Sequence, residues 1–181
     1  MLGWIEQADW WILHGIRQAL HCRVLDFLMP KITILGNGGA LWLLAALGMT
    51  VSKKYRKYGI ALFGALTLGF LIANVGLKPL VARARPCWLE DVGLLIANPK
   101  DYSFPSGHTL SSVIGAVILT AANRKWGFWA IPAAVSIAFS RLYLYVHFPS
   151  DVAVSVVLGL LIGGAAVTLC RRLPHPRLQS E

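Results

Sequence analysis

Five long stretches without a charged side chain, in a chain of only 181 residues, limit the fold more than any other feature of this sequence. They are Ile32–Ser52, Gly59–Leu77, Thr109–Asn123, Trp126–Ser140 (carried on by Leu142–Val146 after Arg141) and Val152–Cys170. A helix crossing the ~30 Å hydrocarbon core needs about 20 mostly apolar residues. A soluble chain of this length cannot bury five such helices among themselves. Only 14% of the residues are charged, against ~25% in a typical soluble domain. The expected fold is therefore all-α, an integral membrane bundle of five transmembrane helices in one domain spanning 1–181, with a bundle at 32–171 carrying the chemistry.

The charges that remain are strongly basic, 17 Lys+Arg against 8 Asp+Glu. Lys53, Lys54, Arg56 and Lys57 lie between the first two runs, Arg124 and Lys125 between the third and fourth, and Arg171, Arg172 and Arg177 after the fifth. In an alternating bundle these groups share one side, and loops rich in Lys and Arg face the cytoplasm. This placement accounts for the basic excess without a nucleic-acid partner. The Lys78–Pro105 loop, the Arg141–Asp151 corner and the N-terminus then lie outside.

Residues 1–30 do not suit a span, because Arg17, His21, Arg23 and Asp26 would sit at membrane depth, where charge is costly. Ile5, Ala8, Ile12, Ile16 and Leu20 recur at helical spacing opposite Glu6, Asp9, His14, Arg17 and Gln18, and Trp4, Trp10 and Trp11 suit the headgroup zone. An amphipathic helix lying on the outer face is expected, with a sixth, tilted span as the alternative. The pattern of a cleavable signal peptide is not seen.

Three polar clusters fall on the outer side: Lys78 to Arg85-Pro86, Pro105-Ser106-Gly107-His108, and Ser140-Arg141 to His147 and Asp151. Lys78, Arg85 and Arg141 are cations at the apolar boundary, with no nearby acid expected to neutralise them. Arg offers phosphate a planar fork and Lys a point charge. Ser106-Gly107-His108 opens a helix, whose free N–H groups and dipole favour phosphate, and Gly107 leaves the backbone approachable. Pro149 interrupts the helix between His147 and Asp151, so the carboxylate can reach back to the imidazole. Holding one ring N–H fixes the tautomer and frees the other nitrogen to attack phosphorus. His108 can protonate the leaving oxygen. Any one histidine alone would more simply be structural, and His14, His21 and His175 are expected to be so.

These clusters contain K-x6-R-P, P-S-G-H and S-R-x5-H-x3-D without gaps, and over 32–171 the sequence resembles the type 2 phosphatidic acid phosphatase (lipid phosphate phosphatase) superfamily. The resemblance implies a metal-independent phosphohistidine mechanism with no cofactor. In it His147 is the nucleophile, Asp151 its orienter and His108 the general acid, while Lys78, Arg85, Ser106, Gly107 and Arg141 bind the phosphoryl oxygens. Arg83 lies outside the motifs and is expected only to widen the basic patch. The resemblance implies a membrane lipid (di)phosphate as substrate, foremost undecaprenyl diphosphate, in a bacterial inner membrane with the site facing outward. The alternatives are phosphatidylglycerophosphate, phosphatidate or lipid A phosphate. A non-catalytic lipid-phosphate binder would not need the two histidines and the aspartate, and a vanadate-dependent haloperoxidase, which shares the constellation, would be soluble.

Other features carry less. Gly159, Gly163, Gly164, Ala165 and Ala166 form a small-residue face suited to an internal helix or to a homodimer contact. Pro132 is expected to kink the fourth span. Cys22 and Cys87 fall on the same side, where a disulfide is conceivable, and Cys170 would be free. Glu90, Asp91 and Asp101 are expected to be solvated loop charges, or to shape headgroup access.

Overall fold

The computed structural model describes residues 3–172, so the expectations for His175 and Arg177 fall outside the described residues. Among the described residues all regular structure is helical: α1 (Gly3–Leu20), α2 (Arg23–Leu35), α3 (Ala40–Val51), α4 (Arg56–Phe70), α5 (Lys78–Val81), α6 (Pro86–Leu89), α7 (Gly107–Ala122), α8 (Arg124–Tyr143) and α9 (Pro149–Arg172). Two stretches are long and apolar enough to cross a bilayer, Arg56–Leu89 and Pro149–Arg172. A third is formed if the bent pair Arg23–Leu35 and Asn37–Val51 acts as one. The remaining two apolar runs fold as α7, of 16 residues, and α8, of 20 residues, which contains Pro132.

The sequence suggested one uninterrupted span over Ile32–Ser52, starting after an interfacial segment. The chain instead enters α2 at Arg23 and breaks at Gly36-Asn37-Gly38-Gly39, with a 43° bend. Gly38 (φ 57°) and Gly39 (φ 71°) are left-handed, a conformation that costs glycine little. Irregular backbone at membrane depth is tolerated where it lines a cavity, and this break does so. A second irregularity follows α4, where Leu71–Leu77 widen into a π-helical stretch before α5; such bulges are frequent at functional sites.

The core is built around α7, which packs on α4, α8 and α9. Trp42, Leu62, Leu110, Ile114, Ile118 and Ile137 are its buried residues of largest consequence. A Cβ at Gly159 would come within 2.7 Å of Val113 and one at Gly163 within 3.0 Å of Val117. The small-residue face of α9 therefore serves close internal packing against α7, except at Gly164, where a Cβ would meet nothing.

On α1 the orientation differs from the simple amphipathic expectation. Asp9 and Leu13 are buried, whereas Trp4, Trp11 and Ile12 are exposed. The side turned to the bundle thus includes a carboxylate from the polar stripe, and of the apolar stripe Ala8, Ile12 and Leu20 face outward while Ile16 packs against the bundle. The three cysteines are free, so Cys22 and Cys87 are not bridged.

Candidate active site

The turns α3–α4 and α7–α8 and the end of α9 lie at one end of the helices. The end of α4 with α5, the start of α7, and the α8–α9 corner meet at the other, which brings the three motifs together. There a cavity of about 960 Å³ is lined by Lys78, Arg85, Gly107, His108, Arg141 and His147. Ser106 and Asp151 sit fully buried behind this lining. Leu43, Phe63, Leu66 and Phe70 continue it as an apolar wall between α3 and α4.

His147 lies in the corner between α8 and α9, and Asp151 in the first turn of α9. His147 Nδ1 is 3.7 Å from Asp151 Oδ2, facing it but longer than a hydrogen bond, and is otherwise unpartnered. Its Nε2 is 3.2 Å from an Arg85 Nη. A guanidinium only donates, so Nε2 accepts and the ring proton belongs on Nδ1, toward Asp151. Burial, reinforced by Arg85 and Arg141 and opposed by Asp151, pushes this imidazole down to about 3. The ring is neutral at physiological pH, with its lone pair on the Arg85 side.

Asp151 is fixed from several directions. Its Oδ2 accepts from the Ser103 hydroxyl at 2.5 Å and the Phe148 N–H at 2.9 Å, and its Oδ1 accepts from Arg83 at 2.7 Å. Arg83 therefore does not simply enlarge the basic patch. It touches the carboxylate expected to orient His147.

The cations are also less free than expected. Asp101 pairs with Lys78 Nζ through one oxygen and with an Arg85 Nη, at 2.7 Å, through the other. Burial works against its ionisation, but Lys78 and Arg85 hold its carboxyl down to about 2. The expectation that no acid neutralises these cations is corrected by this residue, 23 positions from Lys78. Arg141 donates to Thr33 on α2, while its buried Nε has no partner. Glu90 is likewise engaged rather than only solvated, accepting from His14 at 3.0 Å and from the Tyr145 hydroxyl at 2.6 Å. His14 thus has a structural partner, and His21 stacks on Tyr143.

Ser106 caps α7, its hydroxyl accepting from the Thr109 N–H and hydroxyl, while its own N–H donates to Ser155. The Gly107 and His108 N–H groups belong to the first turn, which has no intrahelical acceptors for them. A Cβ at Gly107 would meet only the Asn74 amide, at 3.9 Å. Glycine there is not demanded by packing; it keeps backbone accessible from the cavity. His108 Nε2 donates to Asn37 Oδ1 at 2.9 Å. Asn37, Asp101, Arg83 and Asp9 were all missed as partners of the motifs, because each reaches its partner across at least 16 residues of sequence. Only the Gly-Asn-Gly-Gly run inside an apolar span could have pointed to Asn37.

A family model described as the PAP2 superfamily matches residues 57–174. An undecaprenyl-diphosphatase from Sulfolobus acidocaldarius is 34% identical over 132 residues, covering 71% of this chain and 63% of that protein. The undecaprenyl-diphosphatase BcrC of Bacillus subtilis is 32% identical over 155 residues, 83% of this chain and 77% of that one. The crystal structure of a transmembrane PAP2 type phosphatidylglycerolphosphate phosphatase from Bacillus subtilis superposes with a TM-score of 0.78 at 26% identity, over 96% of this chain and 89% of the other. By the extent of the family match and by its apolar helices, the chain is a membrane protein and belongs to the PAP2 superfamily.

Proposed function

We propose that this single-domain protein is a lipid phosphatase that hydrolyses a polyprenyl diphosphate, foremost undecaprenyl diphosphate to undecaprenyl phosphate, through a phosphohistidine. The observation that carries this reading is the lone pair of His147 Nε2, held beside Arg85 in a cavity that also contains His108 and Arg141. In the first step Nε2 attacks the terminal phosphorus, the P–O bond to the lipid phosphate breaks, and His108 gives its proton to the leaving oxygen. Asp151 stabilises the positive charge that develops on the His147 ring. Lys78, Arg85, Arg141 and the Ser106-Gly107-His108 start of α7 take the charge on the transferring oxygens. In the second step His108 accepts a proton from water, whose oxygen displaces His147 and releases inorganic phosphate.

The substrate class draws support from the two undecaprenyl-diphosphatases among the relatives and from the apolar wall of Leu43, Phe63, Leu66 and Phe70, which gives a tail a path beside the phosphate site. Phosphatidylglycerophosphate is the second reading, favoured by the likeness to the phosphatidylglycerolphosphate phosphatase over nearly the whole chain. The basic turns around Lys53 and Arg124 mark the cytoplasmic side of a bacterial inner membrane, leaving the site on the outer face.

The test is phosphate release from a panel of lipid phosphates by the detergent-purified protein, in EDTA. Turnover in EDTA that disappears in His147→Ala, with acid-labile phosphate on the wild-type enzyme after rapid quench, is expected. Turnover that requires a divalent metal, or survives His147→Ala, contradicts the mechanism. Binding without turnover would instead indicate a lipid-phosphate binding protein.

A further inference from the structure

The His147–Asp151 pair is gripped from behind by two residues outside the three motifs. Arg83, in the linker between α5 and α6, donates through one Nη to Asp151 Oδ1 and to the Ser150 hydroxyl, both at 2.7 Å. Its other Nη donates to Asp9 Oδ2 at 2.7 Å. Asp9, from α1, also accepts from the Ser150 N–H at 2.8 Å and from its hydroxyl at 2.5 Å. The guanidinium lies 4.0 Å from the centroid of Phe148. The clamp thus holds residues 148, 150 and 151, immediately after His147, and closes a ring through Asp9, Arg83, Asp151 and Ser150.

We propose that Arg83 and Asp9 are positioning residues for the nucleophile: Arg83 fixes the Asp151 carboxylate so that one oxygen stays aimed at His147 Nδ1, and Asp9 fixes Arg83. The proposal rests on the reading of His147 as nucleophile. Oδ2 can face the imidazole only while the carboxylate plane is held, and the anchor on Oδ1 is Arg83. The burial of Asp9 (2% exposed) and Asp151 (0%) makes the clamp electrostatically necessary as well. Two buried carboxylates this close repel, and the guanidinium between them offsets the repulsion. A tie that merely attached α1 to α9 would be complete in the Asp9–Ser150 hydrogen bonds and would not need the Arg83 contact to Asp151. It also gives α1, whose Asp9 comes from its polar stripe, a role at the reacting centre 142 positions away in sequence, beyond lying at the membrane surface.

The experiment compares the full chain in detergent with Arg83→Gln, Arg83→Lys and Asp9→Asn. Misaligning a reacting group can cost on the order of 100-fold in rate. The expected losses in kcat are about 50-fold for Arg83→Gln and about 10-fold for Asp9→Asn, with KM within about twofold and part of the loss restored in Arg83→Lys. The acid limb that reports the pair, below about pH 4 for an imidazole held down to about 3, should move in opposite directions in the two variants. Removing the Arg83 cation, beside a pair that also feels Arg85, Arg141 and His108, eases its protonation and shifts the limb to higher pH. Removing the Asp9 anion shifts it to lower pH. Folded variants with wild-type kcat and an unmoved limb, or with a change confined to KM, overturn the clamp. A substrate-free readout separates this outcome from failure of the phosphatase reading. Imidazole NMR of the wild type should show His147 protonated on Nδ1, and in both folded Asp9→Asn and Arg83→Lys that tautomer, set by Arg85, should persist while the Nδ1–H resonance shifts as the facing Asp151 carboxylate turns. An unchanged pattern in those variants overturns the proposal even if no lipid on the panel is turned over.

Discussion

His147 Nε2 and the Arg85 guanidinium lie 3.2 Å apart, with the nitrogen as acceptor. One residue thereby sets the tautomer of the proposed nucleophile and stands where, on that proposal, the phosphoryl oxygens arrive. The same guanidinium also donates through Nε to the Asp101 carbonyl and through Nη to the Val146 carbonyl, both at 2.6 Å, so its plane is fixed before substrate binds. An ammonium at this position could keep the charge but not this fork. Arg85→Lys is expected to lower kcat/KM by roughly 100-fold, the scale of losing one preorganised oxyanion donor. Steady-state kinetics on the best lipid substrate measure it, and a loss below about threefold would show that the fork is dispensable.

Asn37 should matter through His108. Its Oδ1 accepts from His108 Nε2 at 2.9 Å, and Gly36 beside it leaves room for the ring: a Cβ there would come within 2.7 Å of His108 Cδ2 and 2.9 Å of Ile137 Cγ2. Asn37→Ala is expected to reduce kcat about tenfold on a lipid substrate, whose leaving oxygen needs a proton, within the usual range for an acid catalyst. The loss should be much smaller on p-nitrophenyl phosphate, whose phenolate leaves without one. Equal losses on both would place Asn37 in general packing instead.

How far these sites could be foreseen depends on the distance over which each residue acts. His147 and Asp151 are four apart, and Pro149 between them announces the turn, so their pairing is legible in sequence. The chain order of the motifs and the alternating basic turns place Lys78, His108 and Arg141 together by topology alone. Asp9, Arg83 and Asp101 looked like ordinary surface charges because their meaning depends on partners brought close only by packing. The apolar stripe of α1 likewise suggests which face meets lipid, but not that a buried Asp9 on the other face reaches α9. The Ile32–Ser52 run is free of charge and long enough for one span, and only its Gly36-Asn37-Gly38-Gly39 stretch, where Gly38 and Gly39 turn left-handed, marks the break.

Asp101 pairs with both Lys78 and Arg85, and on the proposed reading it must yield them to a phosphate. Asp101→Asn is therefore expected to strengthen inhibition by inorganic phosphate. Removing one charge near a partly exposed ion pair is worth about 1.4 kcal/mol, or roughly tenfold in Ki, with kcat little changed. Because the carboxyl is held to about 2 against 3.8 for the ordinary group, its stabilising pair is complete above pH ~4 and is lost as pH falls toward 2. Lowering the pH from 7 to 5 should not mimic the substitution. A phosphate Ki unaltered in Asp101→Asn would mean that the carboxylate does not compete for the seat.

The burial of His147 makes a final prediction with a definite sign. Its imidazole is pushed down to about 3, from an ordinary value of 6.5. Between those limits the unfolded chain binds a proton that the folded chain refuses, so this residue makes stability fall as pH drops below about 6.5 and contributes no pH dependence above it. In detergent, the wild-type Tm should fall more between pH 7 and pH 5 than that of His147→Gln, which lacks the titrating ring. Over the same interval the nucleophile stays neutral, so an acid limb of kcat/KM near pH 5 must come from another group or from the lipid phosphate itself. A wild-type Tm that falls no more than that of the variant would show that His147 is protonated in the folded protein at pH 5, and the neutral, Nδ1-protonated nucleophile would then have to be abandoned at that pH.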